Sequence, residues 1–345
     1  MILADIVLWT LFSFLTYFVL YRFVIIFHSS KGRLNNIEKR DYQAKVLKKF
    51  TVVIYSHNNS QKVKNLIEAF QGQKYDKEKY SLNVLLDNCN NENTKLLEIF
   101  GGTRLWRINT DIKPLGKYKA FAWLLERVRA FENTNAFIFI DGDCKIKKDF
   151  LEKANMCLND ASVVCGETIR RKNYLFNKLL NLRNKMMSRS IRLGRAHFRL
   201  GNVIDTNVLV IRQDILEKIE FETLEDGYEE YEYPLKLCFF NIPVVYSSDL
   251  TVFKNRVETL VSVAINDFRQ RHRIIKTFLN NAGILFSKNS LKLKELVLSL
   301  VYPSGVGFAL MCGIMLYVND IFAGTSFSQL MGANSIITLF GIKIF

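Results

Sequence analysis

The sequence predicts an α/β domain, built on a mostly parallel sheet and flanked by transmembrane helices. Three observations carry that prediction. Long apolar runs stand near both ends of the chain. Between residues 50 and 250, short β-type segments alternate with helical ones. Several of those β-type segments run directly into clusters of polar side chains.

Residues Ile2 to Phe27 are apolar almost throughout, broken only near the ends by Asp5 and Arg22. About 20 helical residues, each rising roughly 1.5 Å, cross a bilayer core, so the run is long enough to span. It exceeds a signal-peptide core and lacks both a basic leader and a small-residue cleavage site. Lys31, Arg33, Lys39 and Arg40 follow it, and the positive-inside rule then puts Met1 outside and the bulk of the chain in the cytoplasm. A second run, Leu296 to Val318, follows Lys288, Lys292 and Lys294. A third, Leu330 to Phe345, is short and either crosses back or lies in the interface. The organisation expected is a membrane helix in 1–28, a cytoplasmic α/β domain with interfacial helices in 48–285, and one or two membrane helices in 294–345. The protein is expected in the cell membrane as a multi-pass protein.

Within the middle domain, Phe50–Tyr55, Leu82–Leu86, Arg104–Ile108 and Ala136–Ile140 are short, apolar and rich in β-branched or aromatic residues, as strands are. Lys62–Gln71 and Lys117–Phe131 carry Leu, Ala, Glu and Arg in helical pattern. Strands alternating with helices predict parallel pairing with helices on both faces, and ligands then gather at the carboxyl ends of the strands.

The formal net charge is +15, which calls for an anionic partner: nucleic acid, lipid headgroups or a phosphorylated substrate. The apolar runs favour lipid, and no nucleic-acid motif appears, so no nucleic-acid partner is expected. With 49% hydrophobic residues and four prolines the chain is not a disordered one. The six cysteines show neither a C-x-x-C pair nor regular spacing, which argues against a zinc site or disulfide framework.

Three strand ends converge on polar chemistry. The first runs into Ser56-His57-Asn58-Asn59, the second into Asp87-Asn88-Cys89-Asn90, and the fourth into Asp141-Gly142-Asp143. Two carboxylates at the tip of a buried strand suit a hard, oxygen-seeking cation such as Mg2+ or Mn2+, which neutralises a departing diphosphate. Taken alone, the D-x-D pattern fits a solvated turn just as well. Farther on, Glu225-Asp226 precedes a helical segment beginning near Gly227; a carboxylate there serves as a helix cap or as a general base. The cluster Arg269-Gln270-Arg271-His272-Arg273 suits either phosphate or lipid headgroups. Phe176 to Arg199 carries seven basic residues among Leu, Met and Ile, the pattern of a basic amphipathic helix on a membrane surface or of a solvated helix face.

These features, in this order, resemble family 2 glycosyltransferases, the group that includes cellulose, hyaluronan and chitin synthases. The resemblance covers roughly residues 50 to 275. It implies a GT-A-like nucleotide-sugar-binding domain. It implies that Asn58 and Asp87 line the donor site and that Gly116-Lys117 brings a cation to it. Asp141 and Asp143 then serve as the metal pair, Asp141 also facing the donor, and Asp226 as the catalytic base with Glu225 beside it. Gln270 and Arg273 correspond to the family's Q-x-x-R-W motif, and Asn207 to its acceptor-side loop.

Two departures stand out. Ile274 replaces the tryptophan of that motif, which removes an aromatic face for an acceptor sugar and weighs against long processive synthesis. Asp205-Thr206-Asn207 replaces a glycine-rich run in the acceptor loop. The implied activity is inverting transfer of a sugar from a nucleotide sugar, a UDP-sugar by the resemblance, to a saccharide or lipid-linked acceptor at the membrane. The alternative is a non-catalytic nucleotide-sugar-binding partner of a polysaccharide synthase.

Overall fold

The computed structural model describes residues 13, 16–17, 20–21, 23–28, 46–57, 60–89, 101–109, 114–128, 133–170, 178, 182, 191–198, 200–202, 204, 207–219, 229–254, 260–280 and 283. The chain divides into two units, Met1–Val24 with Val301–Phe345, and Ile25–Leu300. The strands belong to the second.

In chain order the elements are β1 (Phe50–Ser56), α1 (Ser60–Gln71), β2 (Tyr80–Asp87), β3 (Thr103–Ile108), α2 (Lys117–Val128), β4 (Ala136–Asp141), β5 (Cys144–Lys145) and α3 (Phe150–Asp160). They continue with β6 (Val163–Arg170), α4 (Leu193–His197), β7 (Val208–Arg212), α5 (Gln213–Leu216), α6 (Glu229–Phe239), β8 (Val244–Lys254) and α7 (Leu260–Asn280). The four expected strands and two expected helices fall within a few residues of these bounds.

One sheet holds all the described strands, in the order β3-β2-β1-β4-β7-β6-β8-β5. Its first half is parallel, β1 pairing with both β2 and β4, and β2 with β3. The second half departs from the mostly parallel sheet expected. β7 runs antiparallel to β4 and β6, and β5 antiparallel to β8, while β6 and β8 are parallel. An apolar run such as Val208-Leu209-Val210-Ile211 marks a strand but carries no direction, so periodicity left the polarity of this half undetermined.

Alternating side chains build a core on each face. Val52, Ile54, Ile138 and Ile140 pack with Val63, Leu66, Ile67 and Phe70 of α1, spaced i, i+3, i+4, i+7, and with Phe150, Leu151 and Ala154 of α3. Val53, Phe137 and Phe139 face the other way, onto Phe121, Leu124 and Val128 of α2 and Tyr233 and Leu237 of α6.

A bulge shapes the site. β6 and β8 stay in register from Val163↔Val244 to Gly166↔Ser247, then resume at Glu167↔Thr251. The three extra residues of β8 turn the strand over, so Val244 and Tyr246 serve one core and Leu250 and Val252 the other. Gly166 makes room for this, because a Cβ there would lie 2.1 Å from the Leu250 carbonyl oxygen. Beyond the bulge, β8 pairs with β5, which only Gly142 and Asp143 separate from β4. The strands β4-β7-β6-β8-β5 thus close on themselves around the two aspartates.

Among the described residues no helix is long and apolar enough to cross a membrane. The expected span Ile2–Phe27 is described only in part, and Leu296–Val318 and Leu330–Phe345 lie outside the described residues. Of the basic segment from Phe176 to Arg199, the helix α4 and its flanks are described.

Candidate active site

The carboxyl ends of β1, β2, β4 and β8 and the amino end of β7 meet at one edge of the sheet, and the chemistry collects there. β2 ends in Asp87, a fully buried carboxylate. A buried charge persists only when its oxygens are satisfied. Here Leu115 N–H donates to Oδ1 at 3.0 Å, while Gly116 N–H, at 3.0 Å, and the Tyr55 hydroxyl, at 2.9 Å, donate to Oδ2. Gly116 has φ 92°, a left-handed conformation that glycine adopts without penalty. That turn aims two successive N–H groups at one carboxylate, an anion-binding nest. Burial and the neighbouring Asp87 charge push the Tyr55 hydroxyl well above its ordinary pKa, so it remains a donor. Nδ1 of His57 lies 2.7 Å from the Asp87 carbonyl oxygen and must carry a proton to pair with it.

The Asp87 nest fixes where α2 begins, and Lys117 is its first residue. The Lys117 ammonium reaches across to Oδ1 of Asp141. Lys254, the last residue of β8, bridges both aspartates, its Nζ standing 2.8 Å from Asp141 Oδ2 and 2.8 Å from Asp143 Oδ1. Burial by itself would raise the Asp141 pKa, but the charges and hydrogen bonds of Lys117 and Lys254 outweigh it and hold the carboxyl below its ordinary value. The same pairing lifts Lys254 above the usual lysine value against the opposing effect of its burial. Asp141 and Lys254 are therefore charged at neutral pH, and the ion pairs set two carboxylate side chains against two amine side chains.

Gly142 keeps the pair at this spacing. Its N–H donates to the Tyr55 carbonyl at 2.8 Å, and the Asp141 N–H donates to the Asn207 carbonyl at 3.2 Å, which ties the turn to β1 on one side and β7 on the other. A Cβ on Gly142 would lie 2.7 Å from Val63 Cγ2 and 3.1 Å from the Tyr55 oxygen.

The donor set suits a hard divalent cation. Lys254 Nζ already marks a point from which one cation touches both carboxylates. Cys144, held by burial far above the ordinary thiol value, stays protonated and adds no thiolate. Among the described residues no three His, Cys, Asp or Glu side chains converge, so those residues offer two carboxylate ligands here. Mg2+ is commonly held in that way, with water and substrate phosphates completing the shell.

Solved structures share this architecture. The mannosyltransferase PcManGT from Pyrobaculum calidifontis, in complex with GDP-Man and Mn2+, matches with a TM-score of 0.60 over 92% of this chain and 88% of its own, at 13% identity. Residues 1–349 of S. aureus TarS match with a TM-score of 0.51 over 83% of this chain and 78% of that one, at 14% identity. The same TarS fragment in complex with UDP-GlcNAc gives 0.51 over 83% and 79%, at 12% identity. The fold is GT-A-like. No protein-family model matches the chain, and no curated protein sequence matches it.

Of the residues singled out by sequence, Asp87, Lys117, Asp141, Asp143 and Asn207 come together at this edge. Asn207 immediately precedes β7, and its side-chain amide donates to the Thr168 hydroxyl at 3.0 Å. Asn58, Glu225 and Asp226 lie outside the described residues. Gln270 lies on α7, with its side chain outside what is described, and Arg273 on the same helix is half-buried. Sequence reasoning missed two members, Tyr55 and Lys254. The signal for Lys254 was a lysine closing the apolar run Leu250-Thr251-Val252-Phe253, and only the β5–β8 ladder, with Cys144 opposite Lys254, reveals its partners.

Proposed function

We propose that this chain is a membrane-bound inverting glycosyltransferase of the family 2 type. It transfers a sugar from a nucleoside-diphosphate donor, a UDP-sugar on the sequence resemblance, to a hydroxyl of a saccharide or lipid-linked acceptor. The observation that carries this reading is the aspartate pair at the carboxyl edge of a GT-A-like sheet, placed so that one cation touches both carboxylates. Structural neighbours solved with GDP-Man and Mn2+ and with UDP-GlcNAc support a nucleotide-sugar donor.

In this reading Asp143 and Asp141 hold Mg2+ or Mn2+, which when bound neutralises charge on the departing diphosphate. Lys117 and Lys254 add preorganised positive charge beside it. Asp226 takes the proton from the acceptor hydroxyl. The acceptor oxygen forms its bond to the anomeric carbon as the bond to the diphosphate oxygen breaks on the opposite face, and that electron pair leaves with the nucleoside diphosphate. Asp87 contributes by seating the Leu115–Lys117 turn. Asn58, Gln270 and Arg273 complete the donor side, and Glu225 and Asn207 the acceptor side.

Membrane attachment belongs to the same proposal. It rests on the terminal apolar runs and on α7, where Ile265, Phe268, Ile275 and Leu279 are exposed along one face beside the exposed Arg269 and His272. An apolar stripe beside a cationic side chain such as Arg269 is the pattern of a helix lying in a lipid interface.

The test is release of nucleoside diphosphate from a panel of nucleotide sugars by the full chain in detergent, with Mn2+ and membrane extract as acceptor source. Asp226→Asn is expected to lower turnover by about 10²- to 10⁴-fold, the contribution of a general base. Near-wild-type turnover by that variant removes the base assignment, and no release by the wild type from any donor leaves the binding-partner reading.

A further inference from the structure

We propose that Lys254 is a resident counter-cation for the aspartate pair, and that divalent metal and nucleoside diphosphate therefore bind cooperatively, each favouring the arrival of the other. The inference rests on the metal-and-diphosphate reading above. It starts from geometry: Lys254 Nζ lies 2.8 Å from a carboxylate oxygen of each aspartate, the place a bridging metal would take, and Lys117 holds the second oxygen of Asp141. Three of the four carboxylate oxygens are thus engaged by ammonium groups. The side chains involved are only 14% (Lys254), 16% (Lys117), 20% (Asp141) and 34% (Asp143) exposed, so water screens them little.

The charge count then decides the order of events. Two carboxylates and two ammoniums sum to zero. A divalent cation entering alone must displace Lys254 from both aspartates, leaving an ammonium without its partners in a half-buried site, or else raise the cluster to a net +2. Either route is costly at low effective dielectric. A diphosphate changes this: its oxygens give the Lys254 ammonium new acceptors, complete the metal's shell and cancel the added charge. The flexible four-carbon stem of a lysine lets Lys254 make that exchange without leaving. Its backbone is held opposite Cys144 by the β5–β8 ladder, beside the aspartates, while its four-carbon stem swings. Direct ligation of the metal by the diphosphate adds coupling of its own; the mark of a resident counter-cation is that its removal tightens metal binding in the absence of nucleotide, which a lysine that merely stapled β8 to β5 would not show.

The measurement is Mn2+ binding to the full chain in detergent, followed by the paramagnetic resonance signal of free Mn2+, with and without UDP or GDP. For the wild type, nucleoside diphosphate is expected to tighten Mn2+ binding by about tenfold or more, the worth of releasing one charge-assisted hydrogen bond. Lys254→Met is expected to bind Mn2+ about tenfold more tightly than the wild type when no nucleotide is present, with a smaller further gain on adding it than the wild type shows. Lys254→Arg, which keeps the charge, is expected to behave as the wild type. Nucleotide-independent Mn2+ binding by the wild type overturns the proposal, and that arm requires no variant to fold. So does Lys254→Met binding Mn2+ no better than the wild type in the absence of nucleotide. Failure of the wild type to bind Mn2+ under any condition overturns the metal reading itself, a result distinct from binding without coupling.

Discussion

Replacing Gly142 by alanine tests whether the spacing of the aspartate pair is set by packing. Gly142 is outside the left-handed region, so the demand for glycine is one of space. The added methyl would lie 2.7 Å from Val63 Cγ2, 3.1 Å from the Tyr55 carbonyl oxygen and 3.3 Å from Ser56 Cβ. Carbon atoms prefer about 3.5–4.0 Å, so the nearest contact must open by roughly 1 Å. Val63 is fully buried on α1 and has no solvent to retreat into. Overpacking of this kind costs about 1–3 kcal/mol, or about 2–4 °C of melting temperature per kcal/mol for a unit of this size. Val63→Ala alone is expected to cost about 2 kcal/mol through two lost buried carbons. In the double variant the vacated Cγ2 position accepts the new methyl, so the combined loss should fall about 1–2 kcal/mol short of the sum. Urea unfolding of the four proteins measures this cycle. A Gly142→Ala protein within about 0.5 kcal/mol of the wild type, or strict additivity in the cycle, would falsify the steric account.

Three further outcomes follow from the same geometry. Asp87→Asn replaces one acceptor oxygen by a donor facing N–H or O–H groups, so a loss of about 2–4 kcal/mol and faster amide exchange at Leu115 and Gly116 are expected; unchanged exchange there would remove the anchoring role. Because the Asp141 carboxyl is held below its unfolded value, its stabilisation is complete above about pH 5 and is lost as pH falls through the ordinary carboxylate range to the folded value. Lys254→Met removes one of the two cations opposing burial, so the acid-unfolding midpoint should move upward, read by circular dichroism, with stability flat from pH 6 to 8 in both proteins. Phe268→Glu with Ile275→Glu should weaken binding of detergent-free protein fragments of native fold to anionic vesicles by about tenfold or more, measured by co-sedimentation; retained binding would exclude α7 as a lipid contact.

The legible part of this protein was its parallel half. Short apolar runs ending in Asp87 and Asp141, with Lys117 opening a helix, locate β1 to β4 and the ligand edge, because period and composition report burial directly. The antiparallel half was hidden for the opposite reason. Val208–Ile211 announces a strand but not its direction, and the bulge at Gly166 is a tertiary accommodation to the Leu250 carbonyl rather than a local preference. Lys254 was missed on the same account: its partners lie more than a hundred residues earlier, joined to it by a two-residue strand that no sequence window can detect. Asp87 shows a third kind of difference. Sequence order suggested a ligand contact, and the structure surrounds its carboxylate with three donors from the protein itself.

The closure of β4 onto β5 gives the two aspartates unequal footing. Asp141 ends a strand flanked on both sides by long ladders, to β1 and β7, and moves only if the centre of the sheet opens. Asp143 leads into β5, a rung of two residues whose one strand partner among the described residues is β8. Local opening should therefore release Asp143 long before Asp141. One aspartate thus stands on the centre of the sheet and the other beside its edge strand.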